Sequence, residues 1–186
     1  MIEHLKVVVK RSDGGVTVMS FATLGRGSIL PRGALWHDEK QGIWKRDPSD
    51  ANLLDEVMRS HPSMSDSGQA LPVAVGYRVL GKDEVLPGRD FRDAWVDRDG
   101  AIDHDMAKAR EIHRDRLRHA RAPLLAALDV EVARSDEVKD PQRKDAAIAK
   151  KQALRDVTAL PAIDAAQSVE ELKAITLEAL GFGEVD

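Results

Sequence analysis

A chain of 186 residues with 28 Lys and Arg against 32 Asp and Glu has a net charge of −4, and so no global basic surplus for nucleic acid or a membrane surface. It has no cysteine, which removes disulfides, thiolate metal sites and thiol nucleophiles together. Aromatic residues are only 4%, so the core must rest on Val, Leu, Ile and Ala, in one domain or two small ones.

The start, Met1-Ile2-Glu3-His4-Leu5-Lys6, lacks the charged and then apolar pattern of a signal peptide. No apolar run approaches the roughly 20 residues of a membrane span, so no membrane partner is expected. Leu5, Val7 and Val9 alternate with Lys6, Val8 and Lys10, and Val16, Val18 and Ser20 alternate with Thr17, Met19 and Phe21. With Asp13-Gly14-Gly15 between them, the two runs predict a β-hairpin. Gly25 to Asp50 reads as loop. Its Gly25-Arg26-Gly27-Ser28 stretch lacks the Gly-Lys-Ser/Thr ending of a phosphate loop, and Trp36 and Trp44 are expected to pack beneath it.

Ser49 or Asp50 can cap a short helix through Leu53, Leu54, Val57 and Met58, followed by a connection from Ser60 to Gln69. A third strand is expected over Val73 to Leu80, with Val73, Val75, Tyr77 and Val79 on one face, because a lone hairpin is marginal. Phe91 and Trp95, four apart, predict an aromatic clasp on one helical face, before a sharp turn at Asp97-Arg98-Asp99-Gly100.

From Met106 to Val132 strong helix formers dominate, with neither Gly nor Ser. Asp103 can cap this helix, and Asp105 then suits its dipole. The apolar stripe of Met106, Ala109, Ile112, Leu117, Ala120, Leu124, Leu128 and Val132 slips by one residue after Ile112. Pro123 costs roughly 3 kcal/mol inside a helix, so either the helix kinks near Arg118 to Ala122 or a second helix starts with Pro123 in its first turn; the lack of polar loop residues beside it favours one kinked helix. After a polar break from Ser135 to Arg143, a second helix over Lys144 to Val157 carries the ridge Ala146, Ala149, Ala153 and Val157, flanked by Ile148 and Leu154. Small ridges allow close approach, so an antiparallel helical hairpin is expected. Ser168-Val169-Glu170-Glu171 is a capping box for a last helix burying Val169, Leu172, Ile175 and Ala179 and ending at Gly181. The fold expected is α+β, with a small antiparallel sheet in 1–88 and a helical domain in 89–186.

Chemistry is sparse. His104, His113 and His119 stand nine and six residues apart, not the three or four that converge on a metal. Asp97, Asp99, Gly100 and Asp103 echo a calcium loop whose end positions, Trp95 and Met106, cannot ligate. No nucleophile-elbow motif is present, so no catalytic residue, metal or cofactor is assigned and no enzyme activity is expected. Arg110, Arg114, Arg118 and Arg121 line one helix face, read either as a solvated face beside Glu111 and Asp115 or as a surface for an acidic protein partner. No aromatic residue interleaves with them, which argues against nucleic acid. A helix of about thirty residues extends about 45 Å, more than a small sheet covers. Part of its apolar face is therefore expected to meet another protein or a second copy, as a dimer or trimer. In that contact Leu124, Leu128, Phe91 and Trp95 supply affinity and the arginines orientation.

The run Asp90-Phe91-Arg92-Asp93-Ala94-Trp95, the run from Asp105 to Arg116, Lys151 to Val157 and Val169 to Lys173 resemble tail-region proteins of tailed phages and prophages, the tail fibre and tail-assembly class. The resemblance runs from Tyr77 to the C-terminus. It implies a non-enzymatic role in virion morphogenesis, as a structural part of the tail or a chaperone that holds a fibre until assembly. Its partners would be other tail proteins or a tail fibre, in the virion tail or in the host cytoplasm during assembly. It supplies no functional residues. The alternative is a cellular α+β binding module or small enzyme with an incidental helical hairpin.

Overall fold

In a computed structural model the protein is α+β, with a small antiparallel sheet toward the N-terminus, then one long helix and shorter helices. The structure describes residues 3–23, 36–38, 43–45, 70–81 and 83–183. The helix expected around Leu53 to Met58, the glycines from Gly25 to Gly33, the packing of Trp36 and Trp44 and the connection from Ser60 to Gln69 lie outside the described residues. The chain divides into two compact units, 1–103 and 104–186.

In the first unit, β1 (Glu3–Arg11) and β2 (Val16–Thr23) pair antiparallel with Val8 opposite Val18. Their turn uses Gly14 at φ +79, and Asp13 accepts from the Gly15 amide at 3.0 Å. β3 (Trp36–Asp38) and β4 (Ile43–Lys45) form a separate antiparallel ladder where only loop is expected from sequence. β5 (Ala74–Val79) joins β1 as the third strand, giving the order β2-β1-β5.

The expected face of β5 is broken. The register shifts opposite Lys10 and Arg11, so Ala74 joins Val7, Val9 and Tyr77 in a cluster, while Val73 and Val75 are 53% and 64% exposed. An inserted residue reverses the alternation beyond it. On the other face of β1, Val8 packs with Val16, Trp95 and Ile102.

The clasp differs too. Phe91 lies in a 310 turn (Arg89–Ala94), whereas Trp95 opens β6 (Trp95–Arg98), so they share no helical face. β6 is joined to β7 (Ala101–His104) through Asp99 and Gly100, both at positive φ, which is the type I′ geometry that Asp-Gly favours.

In the second unit, α1 (Met106–Glu137) is a single helix of 32 residues with Pro123 inside it. Its cap is Asp105, which accepts from the Ala107 and Lys108 amides at 2.9 and 3.3 Å. Asp103, the expected cap, stays in β7 and pairs with Arg98 at 3.1 Å. The expected break shrinks to Val138–Asp140, and the helix runs through Ser135, whose buried hydroxyl is satisfied by bonding back to the Glu131 carbonyl at 2.8 Å. Asp140 caps α2 (Pro141–Asp156), with Pro141 in the first turn.

The helices α1 and α2 run antiparallel, joined by Asp136–Lys144 at 2.6 Å and by the pairs Glu131–Arg143 and Asp129–Lys151. The buried line of α2 is Ala147 and Leu154, then Val157 beyond its end, not the ridge of Ala146, Ala149 and Ala153. Burial of the larger Leu154 removes more apolar area from water than burial of an alanine row, so the helix rotates toward leucine.

Two short helices close the unit, α3 (Pro161–Ala165) and α4 (Val169–Ala174). Ser168 accepts from the Glu171 amide at 3.2 Å, and the Glu171 carboxylate accepts from the Gln167 amide at 2.8 Å, close to the expected capping box. The last helix is shorter than expected. It stops at Ala174, and Thr176 caps a further turn by accepting from the Ala179 amide at 3.1 Å. Gly181 at φ +82 ends that turn, with Phe182 donating back to the Leu177 carbonyl at 2.8 Å. Ala179 is exposed and Ile175 half-buried.

Candidate functional site

The arginine row of α1 is largely used up inside its own unit. Arg110 donates to the Ala166 carbonyl at 2.8 Å. Arg114 donates to the Thr158 carbonyl at 3.2 Å and pairs with Asp164 and Glu111, both at 2.5 Å. Arg121 donates to the Leu154 carbonyl at 3.1 Å, to the Arg155 carbonyl and to the Thr158 hydroxyl at 3.4 Å. These oxygens belong to the C-terminal turn of α2, the turn after it and the residue closing α3. Helix ends leave such carbonyls without partners, and a cation there also meets the negative end of the dipole. Only Arg118 keeps to a local pair, with Asp115, its side chain 46% exposed. The arginines therefore pin the helix ends of the unit, with Arg118 alone left toward solvent. Sequence spacing placed them on one face without showing what that face met.

His113 explains the slip in the apolar stripe. The buried line of α1 runs Ala109, His113, Leu117, then Leu128 and Ser135, so the missing apolar residue is an imidazole. The ring shares a hydrogen bond with the Ile175 backbone, while its Nε2 is buried without a partner among the described residues. Burial lowers its pKa below the ordinary 6.5, the Ile175 bond working against this and nearby Arg116 with it. His119 is exposed, its Nδ1 2.7 Å from the Asp115 carbonyl, and His104 ends β7. No group of three or more His, Asp or Glu able to hold a metal exists among the described residues.

The remaining residues expected to bind a partner divide by exposure. Phe91, Trp95 and Leu128 are buried, so their apolar surface is already covered, while Leu124 is half-buried. Among the apolar residues of α1 that face solvent are Ala120, Pro123, Ala127 and Val130, the last 48% exposed. Their three- and four-residue spacing puts them on one stripe.

The first unit holds a charge cluster that short-range motifs do not reveal. The Arg78 fork meets both Glu84 oxygens at 2.7 Å, and its Nε lies 3.1 Å from Asp97, which also takes Lys10 at 3.1 Å. This fork holds the Glu84 carboxyl below its ordinary range and raises the Arg78 pKa further. It ties β5 to β6 through Asp97. Beside the Val8 core a half-open groove of about 750 Å³ is lined by Lys6, Val18 and Ser20 of the hairpin, Leu86, and Arg89, Arg92 and Trp95.

No protein-family model, curated protein or solved structure matches the chain. Among the described residues, no helix is long and apolar enough to cross a membrane.

Proposed function

We propose that this protein is a non-enzymatic component of a phage tail or of tail assembly, acting through protein–protein contact. The observation that carries the reading is the solvent-facing stripe Ala120, Pro123, Ala127 and Val130 on α1, a helix about 48 Å long whose 16-residue partner α2 spans about 24 Å. Small residues along a helix let a second helix come close, and an apolar stripe on a charged helix is the feature that helix-on-helix contacts use. The exposed Ala146, Ala149 and Ala153 of α2 extend this small-residue character over the hairpin. The tail setting comes from the sequence resemblance, which places its longest run, Asp105 to Arg116, at the start of this same helix.

The helical stripe takes the place of the arginines and clasp aromatics as the contact, because those side chains are engaged within the chain. Light scattering on the purified protein, together with capture of a co-expressed tail fibre protein, tests the reading. Ala127→Glu should abolish both association and capture while leaving the circular dichroism unchanged. A strict monomer that captures no tail protein, yet turns over a small molecule, would defeat it.

A further inference from the structure

We infer that the groove beside β1 and β2 binds an acidic peptide segment, with carboxylates on Lys6, Arg89 and Arg92 and an apolar side chain against Val18 and Leu86. The chain as a whole is acidic, with a net charge of −4, yet among the described residues this groove gathers Lys6, Arg11, Arg89 and Arg92 against one lining acid, Asp93. Such a local reversal of sign draws an anionic partner and sets its orientation.

The cations are also available. Arg11 is held by Asp13 at 3.1 Å, but Lys6 and Arg89 make no ion pair among the described residues, and Arg92 reaches Asp93 only at 3.8 Å with both side chains mostly exposed. An unpaired exposed cation loses little by meeting a carboxylate, because no existing pair has to break.

The floor fits the other half of such a ligand. By strand register Lys6 and Ser20 stand opposite each other, as do Val8 and Val18, so a cation and a hydroxyl flank an apolar strip on one sheet face. Leu86 and Trp95 continue that strip. Trp95 lines the groove with 5% of its surface exposed, so it serves as the fixed back wall of the strip. A half-open groove with cations on its rim suits an extended segment lying along it rather than a molecule enclosed on all sides.

The groove and the helical stripe are separate features, so either can fail without the other. The test is fluorescence anisotropy of a labelled decapeptide of alternating glutamate and leucine, titrated with the full chain. Peptides with glutamine or lysine in place of glutamate serve as controls, and inorganic phosphate as competitor. The glutamate peptide should bind, more weakly as salt rises, and the glutamine and lysine peptides should not. Lys6→Gln and Arg89→Gln should each weaken binding about twofold to fivefold, as exposed ion pairs do. The double variant Lys6→Glu/Arg89→Glu should remove binding, and Arg98→Ala, outside the groove, should not change it. Melting curves check that each variant folds, and the two glutamine variants carry the test if the double variant does not. Absent binding, equal binding of the glutamine peptide, or indifference to the Lys6 and Arg89 changes would overturn the proposal. Displacement by phosphate at concentrations equal to the peptide would overturn it as well, assigning the groove to a small anion.

Discussion

The two units solve the same shortage of large apolar residues in different ways. In the first, the central strand is buried on both sides: Val7 and Val9 face one cluster and Val8 the other, each 0% exposed. β-branched side chains pack well on a pleated surface, and three in succession serve two layers. The second unit spreads its apolar burial along several helices, through Ala109, Leu117, Leu128, Leu154, Ile163 and Leu172, with the polar His113 and Ser135 buried on α1. There the long arginines of α1 bond the carbonyl ends of the following elements. One unit is held by apolar layers on a sheet with a charge cluster at their edge, the other by an apolar seam between helices stitched with guanidinium–carbonyl bonds.

That contrast can be broken most directly through the cores. Phe91→Ala should be the most damaging, costing about 3–5 kcal/mol by opening a cavity at a side chain 1% exposed. Urea unfolding reads the loss, and a cost under about 1 kcal/mol would mean that this aromatic is not a packing anchor.

The arginine stitch comes next. Arg121→Ala should cost about 1–3 kcal/mol, since it strips a charged donor from two carbonyls at the end of α2. Arg118→Ala should change stability by no more than about 0.5 kcal/mol, because its local pair is exposed. Equal costs at the two positions, followed by the helical dichroism signal during unfolding, would erase the distinction between stitching and solvated arginines.

The smallest effect is a pH dependence. The folded His113 has a lowered pKa, so the unfolded chain binds the proton first. Its contribution to stability is fully present above the unfolded value of 6.5 and is lost as pH falls from there through the lowered folded value. Glu84 behaves similarly at a lower range, its contribution present above 4.5 and lost as pH falls through its own depressed value. Melting temperatures taken from about pH 7 to about pH 5 should therefore decline, and His113→Leu should flatten that decline. A wild-type profile that is already flat would show that the imidazole gains its proton without opening the seam.

Period-two alternation and the Asp13-Gly14-Gly15 turn were enough to find the β1–β2 hairpin, because both are local consequences of backbone geometry. Helix-forming composition found α1 for the same reason, and Ser168 marked the start of a helix whose cap involves only neighbouring residues, while Gly181 ends a turn beyond the helix it was expected to close. Failures came wherever a choice depended on what lay opposite. The bulge that turns Ala74 inward depends on β1, and the rotation that buries Leu154 instead of an alanine ridge depends on α1. The one-residue slip at Ile112 was visible in the chain, but only packing shows that His113 fills the gap.

Sequence by itself determined the α+β class, the hairpin, the long helix and the capped terminal helix, since propensity, turns and caps act over a few residues. Tertiary structure alone decided that three of the four arginines serve backbone carbonyls 33 to 56 residues away, and that Trp95 belongs to the core of a sheet. A guanidinium looks the same in sequence whether its partner is water, another protein or its own chain. Only the position of distant carbonyls distinguishes these, and that position is a property of the folded whole.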